Sequence, residues 1–428
     1  MSDYLFLIES RLNPEQWQVV LRMQKAAEAR GMNLYMVGGA IRDLIGGFPI
    51  EDLDFVVEGN ALKIVRELSR QKVHISWQND SLRAAEMEFP LGVSASVCMA
   101  RSETYGKPGA PPVIAPATIV SDLKRRDFTI NAIGVSLNPQ SRGLLLDPTN
   151  GLADIEKKEL RTLNNYSFLD DPVRIFRAVR FRARLRFSFE PKTATQYQNA
   201  TESDAQEMAS GKAVAHELRR IARERTPVEV LKALEKEKLL LVLSPRLRDS
   251  RLNLQEIGRA SKISHSLAKA GLLAPSFPLF FYLLTRKLPA RDQARLAKWL
   301  KLGKPETDLW RRMEANAKRL AKQLGGKAAS TPTKLYHLLA AAPADLILFL
   351  QLLFPQKKIQ ARIKLFLQKQ LPLRSRLPEQ ELQEMGVASG TPRYQKILDT
   401  HFYAVLEGKV RTRTEQKKFL KSLVQKGK

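Results

Sequence analysis

The stretch from Tyr35 to Gly59, YMVGGAIRDLIGGFPIEDLDFVVEG, constrains this chain more tightly than any other. An apolar strand from Leu34 to Val37 runs into Gly38-Gly39, a short amphipathic segment follows, and a second strand opens on Asp52-Leu53-Asp54. Side chains alternate across a strand, so Asp52 and Asp54 share one face while Leu53 points into a core. Two carboxylates on one face repel each other, and a divalent cation that favours oxygen ligands, such as Mg²⁺, relieves that repulsion. Gly38 and Gly39 stand where a strand ends and a helix can begin, which leaves backbone N–H groups open to an anion. Together the two halves predict a triphosphate-plus-metal site. An ordinary glycine turn followed by strand-capping aspartates is the other reading of the same residues.

The distribution of charge is the second constraint. Residues 1–150 hold 16 Lys/Arg and 17 Asp/Glu, whereas residues 151–428 hold 55 and 27. The basic excess thus lies wholly outside the carboxylate-bearing segment, as suits a polyanion gripped by one part of a protein and processed by another. The single cysteine, Cys98, excludes internal disulfides and a cysteine-based metal cluster, and the five histidines show no zinc-ligand spacing. The apolar run LILFLQLLF at 346–354 is too short to span a membrane, and the N-terminus lacks a basic-then-apolar leader pattern. A cytoplasmic protein with no membrane partner is therefore expected.

Periodicity gives the coarse layout. Residues 4–31 read as two helices, with Pro14 in a first turn and Gly31 as a stop. Residues 61–71 carry apolar Leu62, Val65 and Leu68 at helical spacing, and a strand follows near 73–77. Two further runs, 84–89 and 93–100, suggest a hairpin-like extension of a sheet. The Pro/Gly-rich stretch 101–121 reads as a loop, and the chain after Asp170 reads as almost wholly helical, with amphipathic helices from Leu252 onward broken at Pro275, Pro289, Gly325-Gly326, Pro343 and Pro355. The expected class is α+β, a small mixed α/β palm followed by helices.

The string VGGAIRDLIGG followed by EDLDFVVEG resembles the signature of class II tRNA nucleotidyltransferases and bacterial poly(A) polymerases, members of the polymerase β-like superfamily. Three more motifs of that family follow in order: KRRDFTINAIG at 124–134, LLDPTNGLADI at 145–155 and SFLDDPVRIFRAVRFRARLRF at 167–187. The resemblance implies a catalytic head over 1–160, a helical neck with a base-selecting motif over 161–247, and a helical body with a basic, RNA-binding tail over 248–428. It also implies template-independent addition of C and A to the tRNA 3′ end from CTP and ATP, with Mg²⁺. An A-only enzyme, a poly(A) polymerase and an inactive RNA-binding relative are the alternatives. The 101–121 segment is similar to the flexible loop of the A-adding branch. Position 213, often arginine in the family, is Ala213 here.

Residue by residue, the resemblance assigns metal and catalysis to Asp52 and Asp54, and nucleotide contacts to Gly38, Gly39, Arg42, Arg126, Asp127, Asn131, Asp171, Arg174, Arg177 and Arg180. Arg42 has a rival role as partner of Asp43, and Asp127 has one as a helix N-cap. Asp171 and Arg174, three apart at a helix start, can read a base edge: C and A both offer an amino donor to the carboxylate and a ring nitrogen to the guanidinium. G and U present the opposite pattern. Ser96 falls where the superfamily often has a third acid, so either the two aspartates suffice or Glu86, Glu88 or Glu103 contributes.

Overall fold

The computed structural model describes residues 4–50, 52–71, 73–106, 112–269, 277–374 and 376–425. Two compact units emerge, Met1–Ile221 with Glu229–Arg248, and Ala222–Val228 with Asp249–Lys428. Within the first, α1 (Tyr4–Arg11) and α2 (Pro14–Glu28) precede β1 (Asn33–Val37) and α3 (Gly39–Ile45). Asn13 starts α2 with a capping box, its side chain accepting from the Gln16 N–H while Gln16 reaches back, and Pro14 takes the first turn. Next come β2 (Leu53–Glu58), α4 (Ala61–Ser69), β3 (His74–Asn79), β4 (Ala84–Phe89), β5 (Val93–Met99), β6 (Arg101–Thr104), β7 (Val113–Pro116) and α5 (Ile119–Lys124). Then follow β8 (Gly134–Ser136), β9 (Leu145–Leu146), α6 (Gly151–Lys157), β10 (Glu159–Leu160), α7 (Ser167–Asp170), α8 (Val173–Leu185), β11 (Ser188–Phe189), α9 (Pro191–Glu202) and α10 (Gly211–Arg223).

Seven strands form one mixed sheet in the order β3-β4-β5-β2-β1-β8-β9, with β2 and β5 parallel and the other neighbours antiparallel. One face is closed by apolar side chains: Met36, Leu53, Phe55 and Val57 are fully buried, as are Ile64 and Leu68 of α4. Each such burial stabilises by about 1.5–3 kcal/mol. On the opposite face Tyr35, Val37 and Val56 join Ile119 and Leu123 of α5 in a second apolar cluster, and polar residues lie beside it. Asp54 pairs with Ser96, which pairs with Glu86. Directly opposed residues point to the same side of a sheet, so these three form a polar row across β2, β5 and β4.

Two expectations change here. The strand opens at Leu53, so Asp52 stands one residue before it and is exposed. The segment expected to be a loop is a hairpin, β6 pairing with β7 from Arg101↔Pro116 to Thr104↔Val113, and α5 follows within the same stretch. Residues 107–111 of that segment lie outside the described residues. The prolines misled because Pro116 sits at the end of an edge strand, where a missing N–H costs nothing. The short strands β8 and β9 escaped the periodicity reading, since three and two residues show no period.

The second unit is helical throughout its described residues. Pro289 and Pro343 precede the helices Ala290–Trp299 and Ala344–Leu353, and Gly325 ends Met313–Gly325; Pro275 lies outside the described residues. Leu382, Tyr394, Ile397, Leu398 and Leu420 form a separate apolar cluster that ties the helix Arg413–Gln425 to Pro392–Leu406. Among the described residues no single helix is long and apolar enough to cross a membrane.

Candidate active site

The polar face of the sheet opens into a cleft of about 680 Å³, a size ordinary for a ligand site. All twelve residues assigned by the sequence line it. They come from four separate stretches of chain, brought together by α3 beside β1, by the turn after α5, and by α8.

The glycine turn is required by geometry. Gly38 has φ +67° and ψ −127°, a conformation that L side chains rarely adopt, and a Cβ there would lie 2.8 Å from Arg126 Nη1. At Gly39 a Cβ would meet Asp54 Oδ2 at 3.5 Å, so the Asp54 carboxylate faces the turn directly. The other oxygen, Asp54 Oδ1, accepts a hydrogen bond from Ser96 Oγ at 2.7 Å. Ser96 therefore orients Asp54, while the position itself adds no charge.

The three acids considered in place of Ser96 differ in surroundings. Glu103 lines the cleft but is tied to Arg101 and Arg125, each at 2.9 Å, and accepts from the Tyr105 hydroxyl at 3.0 Å. Burial would raise its pKa, yet Arg125 and Arg101 hold it below the ordinary value. Glu86 shares the face of Asp54 one strand beyond Ser96 and approaches His216 Nε2 at 3.9 Å. Glu88, opposite Ser94, is exposed. Among the described residues no group of three or more His, Cys, Asp or Glu is arranged to hold a metal. Asp52 and Asp54 both line the cleft as a pair of carboxylates. That set fits a small hard cation, which takes one or two carboxylates and keeps water and substrate phosphates as its remaining ligands.

A relay of charged and amide groups fixes the floor. Arg184 donates to Asp43 at 2.8 Å, Asp43 accepts from Arg42 Nε at 2.9 Å, and Arg42 Nη1 donates to Asn131 Oδ1 at 2.6 Å. Asn131 Nδ2 then donates to Asp127 at 3.0 Å, and Arg177 grips the other Asp127 oxygen through two nitrogens at 2.6 and 2.8 Å. Arg42 is a buried partner of Asp43, and Asp127 caps no helix: its carboxylate accepts from the Phe128 N–H, Asn131 and Arg177. Burial favours protonation of Asp127, but Arg177, Asn131 and Arg174 overcome it and hold the carboxyl far below its usual range. Arg180 pairs with Glu217 and lies 4.4 Å from the Phe181 ring centre.

Asp171 and Arg174 stand at the start of α8. Arg174 donates to Ser167 Oγ at 2.8 Å and to the Arg125 carbonyl at 3.4 Å, while its Nε is 3.7 Å from Asp171, too far for a hydrogen bond. The guanidinium is aimed by its neighbours and not consumed by Asp171. Burial raises the Asp171 pKa, and Arg174 and Arg177 only partly oppose it.

Several residues here were not found in the sequence. Asp122, fully buried, holds Arg126 at 2.9 Å and also Arg125. Its i,i+3 and i,i+4 spacing to those arginines was the available signal. Ser167 and Arg184 lie in the 167–187 motif and Glu217 and Arg220 on one later helix, but none was assigned to the site. The 145–155 motif proves architectural: Asp147 accepts from the Gly151 and Leu152 N–H groups at 2.7 and 2.9 Å, and a Cβ on Gly151 would lie 2.2 Å from the Thr129 carbonyl oxygen.

Comparison with known proteins agrees with this layout. Residues 34–161 match the poly A polymerase head domain family. An A-adding tRNA nucleotidyltransferase of Geobacter sulfurreducens is 27% identical over 92% of this chain and 45% of its own length. Another, of Halalkalibacterium halodurans, is 36% identical over 55% of this chain and 56% of its own. The chain spans about half the length of these curated relatives. A solved tRNA-processing enzyme in its apo form is similar over 92% of this chain and 99% of its own, at 25% identity and a TM-score of 0.52. In its head motif, its relatives and its α+β architecture, this chain is similar to the class II tRNA nucleotidyltransferases and bacterial poly(A) polymerases, and residues 34–161 match their head domain.

Proposed function

We propose that the protein is a template-independent tRNA nucleotidyltransferase: an RNA 3′-hydroxyl attacks the α-phosphorus of a nucleoside triphosphate, and pyrophosphate leaves. The observation that carries this reading is the meeting, in one cleft, of Asp52 and Asp54 with the Gly38-Gly39 turn and with Asp171 and Arg174. Asp52 and Asp54 would hold a divalent cation, Mg²⁺ by donor chemistry, which when bound neutralises charge on the reacting phosphates. Ser96 keeps the Asp54 carboxylate turned toward the glycine turn. Gly38 and Gly39 leave backbone close to the triphosphate, and Arg126, held by Asp122, supports phosphate or ribose. Arg42, Asn131, Asp127 and Arg177 act through the relay that fixes this floor. Asp171 accepts the amino group of the incoming base and Arg174 donates to its ring nitrogen, so side chains take the place of a template strand.

For the product, terminal A addition is the finer reading. Relatives matching 92% and 83% of this chain bear A-adding names. Full CCA synthesis is the second reading, favoured by an Asp171–Arg174 pair whose hydrogen-bonding pattern suits C as well as A. Incubating the protein and Mg²⁺ with tRNA lacking its last three nucleotides, and with tRNA ending in CC, separates them. Extension only of the CC form supports A addition, and extension of both to CCA supports the second reading. No incorporation into either RNA sinks the proposal, and open-ended A tails on unrelated RNA replace it with poly(A) synthesis.

A further inference from the structure

Nine arginines line the cleft. Eight of them lie within 3.7 Å of a carboxylate. Arg220 is different. Among the described residues it forms no ion pair, and its Nε is buried without a hydrogen-bond partner. The nearest candidate on its own helix is Glu217, three residues earlier, but that carboxylate is already taken by Arg180 and approached by Arg177 at 3.7 Å. Three guanidinium groups thus share the surroundings of one buried acid, leaving a surplus of positive charge at the wall of the cleft.

The helix aims that surplus at the polar row. His216 lies four residues before Arg220, on the same face of α10, and approaches Glu86, which sits across Ser96 from Asp54. A guanidinium kept partly out of water with an unused N–H is costly unless an anion completes it, and its planar fork suits phosphoryl oxygens.

We infer that Arg220 is a further phosphate-binding residue of this site, taking a phosphoryl oxygen either of the incoming triphosphate or of the RNA 3′-terminal nucleotide. This rests on the nucleotidyltransferase reading for the identity of the phosphate, while the binding itself can be read without turnover. Arg220→Gln and Arg220→Lys are compared with wild type, in Mg²⁺, by calorimetric titration with inorganic tripolyphosphate and by tRNA binding across a salt series. If the triphosphate is the source, the Gln variant loses about tenfold in tripolyphosphate affinity, its KM for ATP rises in step, and tRNA binding is unchanged. If the RNA is the source, tRNA affinity falls and the slope of log affinity against log salt becomes shallower by about 0.9, with tripolyphosphate unaffected. In either case Lys, which keeps the charge and loses the fork, falls between Gln and wild type. It also serves as the test variant should Gln lower the melting temperature. Wild-type affinity for both probes in a folded variant overturns the inference. A wild-type protein that binds tripolyphosphate through Arg220 but extends no tRNA overturns only the function proposed above.

Discussion

The two glycines of the turn make opposite predictions, and the structure supplies the magnitudes. Gly38→Ala places a side chain at φ +67°, which costs about 1–3 kcal/mol for a non-glycine residue. The new methyl also meets Arg126 Nη1 at 2.8 Å, so the guanidinium must leave its 3.2 Å bond to the Asn131 carbonyl. Gly39→Ala is different: its neighbours, Asp54 Oδ2 at 3.5 Å and Arg42 Nη2 at 3.6 Å, are at ordinary van der Waals distance, and Gly39 is the first residue of α3. There alanine limits the freedom of the unfolded chain and stabilises by up to about 1 kcal/mol. Yet the methyl occupies the space in front of Asp54, where the proposed metal and triphosphate lie. The expected outcome is a Gly38→Ala protein that melts several degrees lower and loses activity, and a Gly39→Ala protein that melts at or above wild type and still loses activity. Thermal melts by circular dichroism and incorporation of labelled ATP into tRNA read the two effects separately. A Gly38→Ala protein as stable as wild type, or a fully active Gly39→Ala protein, refutes the reasoning.

Further outcomes follow from the same geometry. Asp52→Ala and Asp54→Ala should each abolish nucleotide addition while leaving tRNA affinity within about twofold, and near wild-type incorporation by either removes the metal assignment. Since the Asp171 pKa is raised, its base-reading carboxylate form is lost as pH falls through a value above the ordinary 3.8. The acid limb of kcat/KM for ATP should therefore vanish in Asp171→Asn, and an unchanged limb counts against that role. Asp127, whose pKa is depressed below 3.8, contributes stability that is complete above that pH and lost as pH falls toward its folded value. Asp127→Ala strands Arg177 and should cost about 3 kcal/mol in urea unfolding at pH 7; a loss below 1 kcal/mol contradicts the relay. Deleting the tail would expose Leu420, which is fully buried, so charge reversal of the exposed Lys417, Lys418 and Lys421 is the cleaner probe of tRNA binding. Every lysine–phosphate pairing that the reversal removes flattens the salt slope by about 0.9, and a constant slope would show that this face does not meet RNA.

The parts of this protein legible in its sequence are those governed by near neighbours in the chain. Alternation across β2 is enough to set Asp54 opposite Leu53, and the strand–Gly-Gly–helix order locates the turn without reference to any distant residue. Helix breaks at Pro289, Gly325 and Pro343 are equally local. The hairpin at 101–116 was hidden because its pairing, Arg101 with Pro116, is not written in either strand alone.

What only the tertiary structure decided is which charge meets which. The arginines of α8 look alike in the string VRIFRAVRFRARL, yet Arg177 goes to Asp127, Arg180 to Glu217 and Arg184 to Asp43, partners 50, 37 and 141 residues away. Coulomb attraction depends on distance in space and on local burial, not on separation along the chain. The sequence by itself therefore determined the glycine turn, the acidic pair and the helical run that carries the α8 arginines. The tertiary structure determined that Arg42 is committed to Asp43 and Asn131, that the pairing of β2 with β5 lets Ser96 orient Asp54, and that Arg220 forms no ion pair among the described residues.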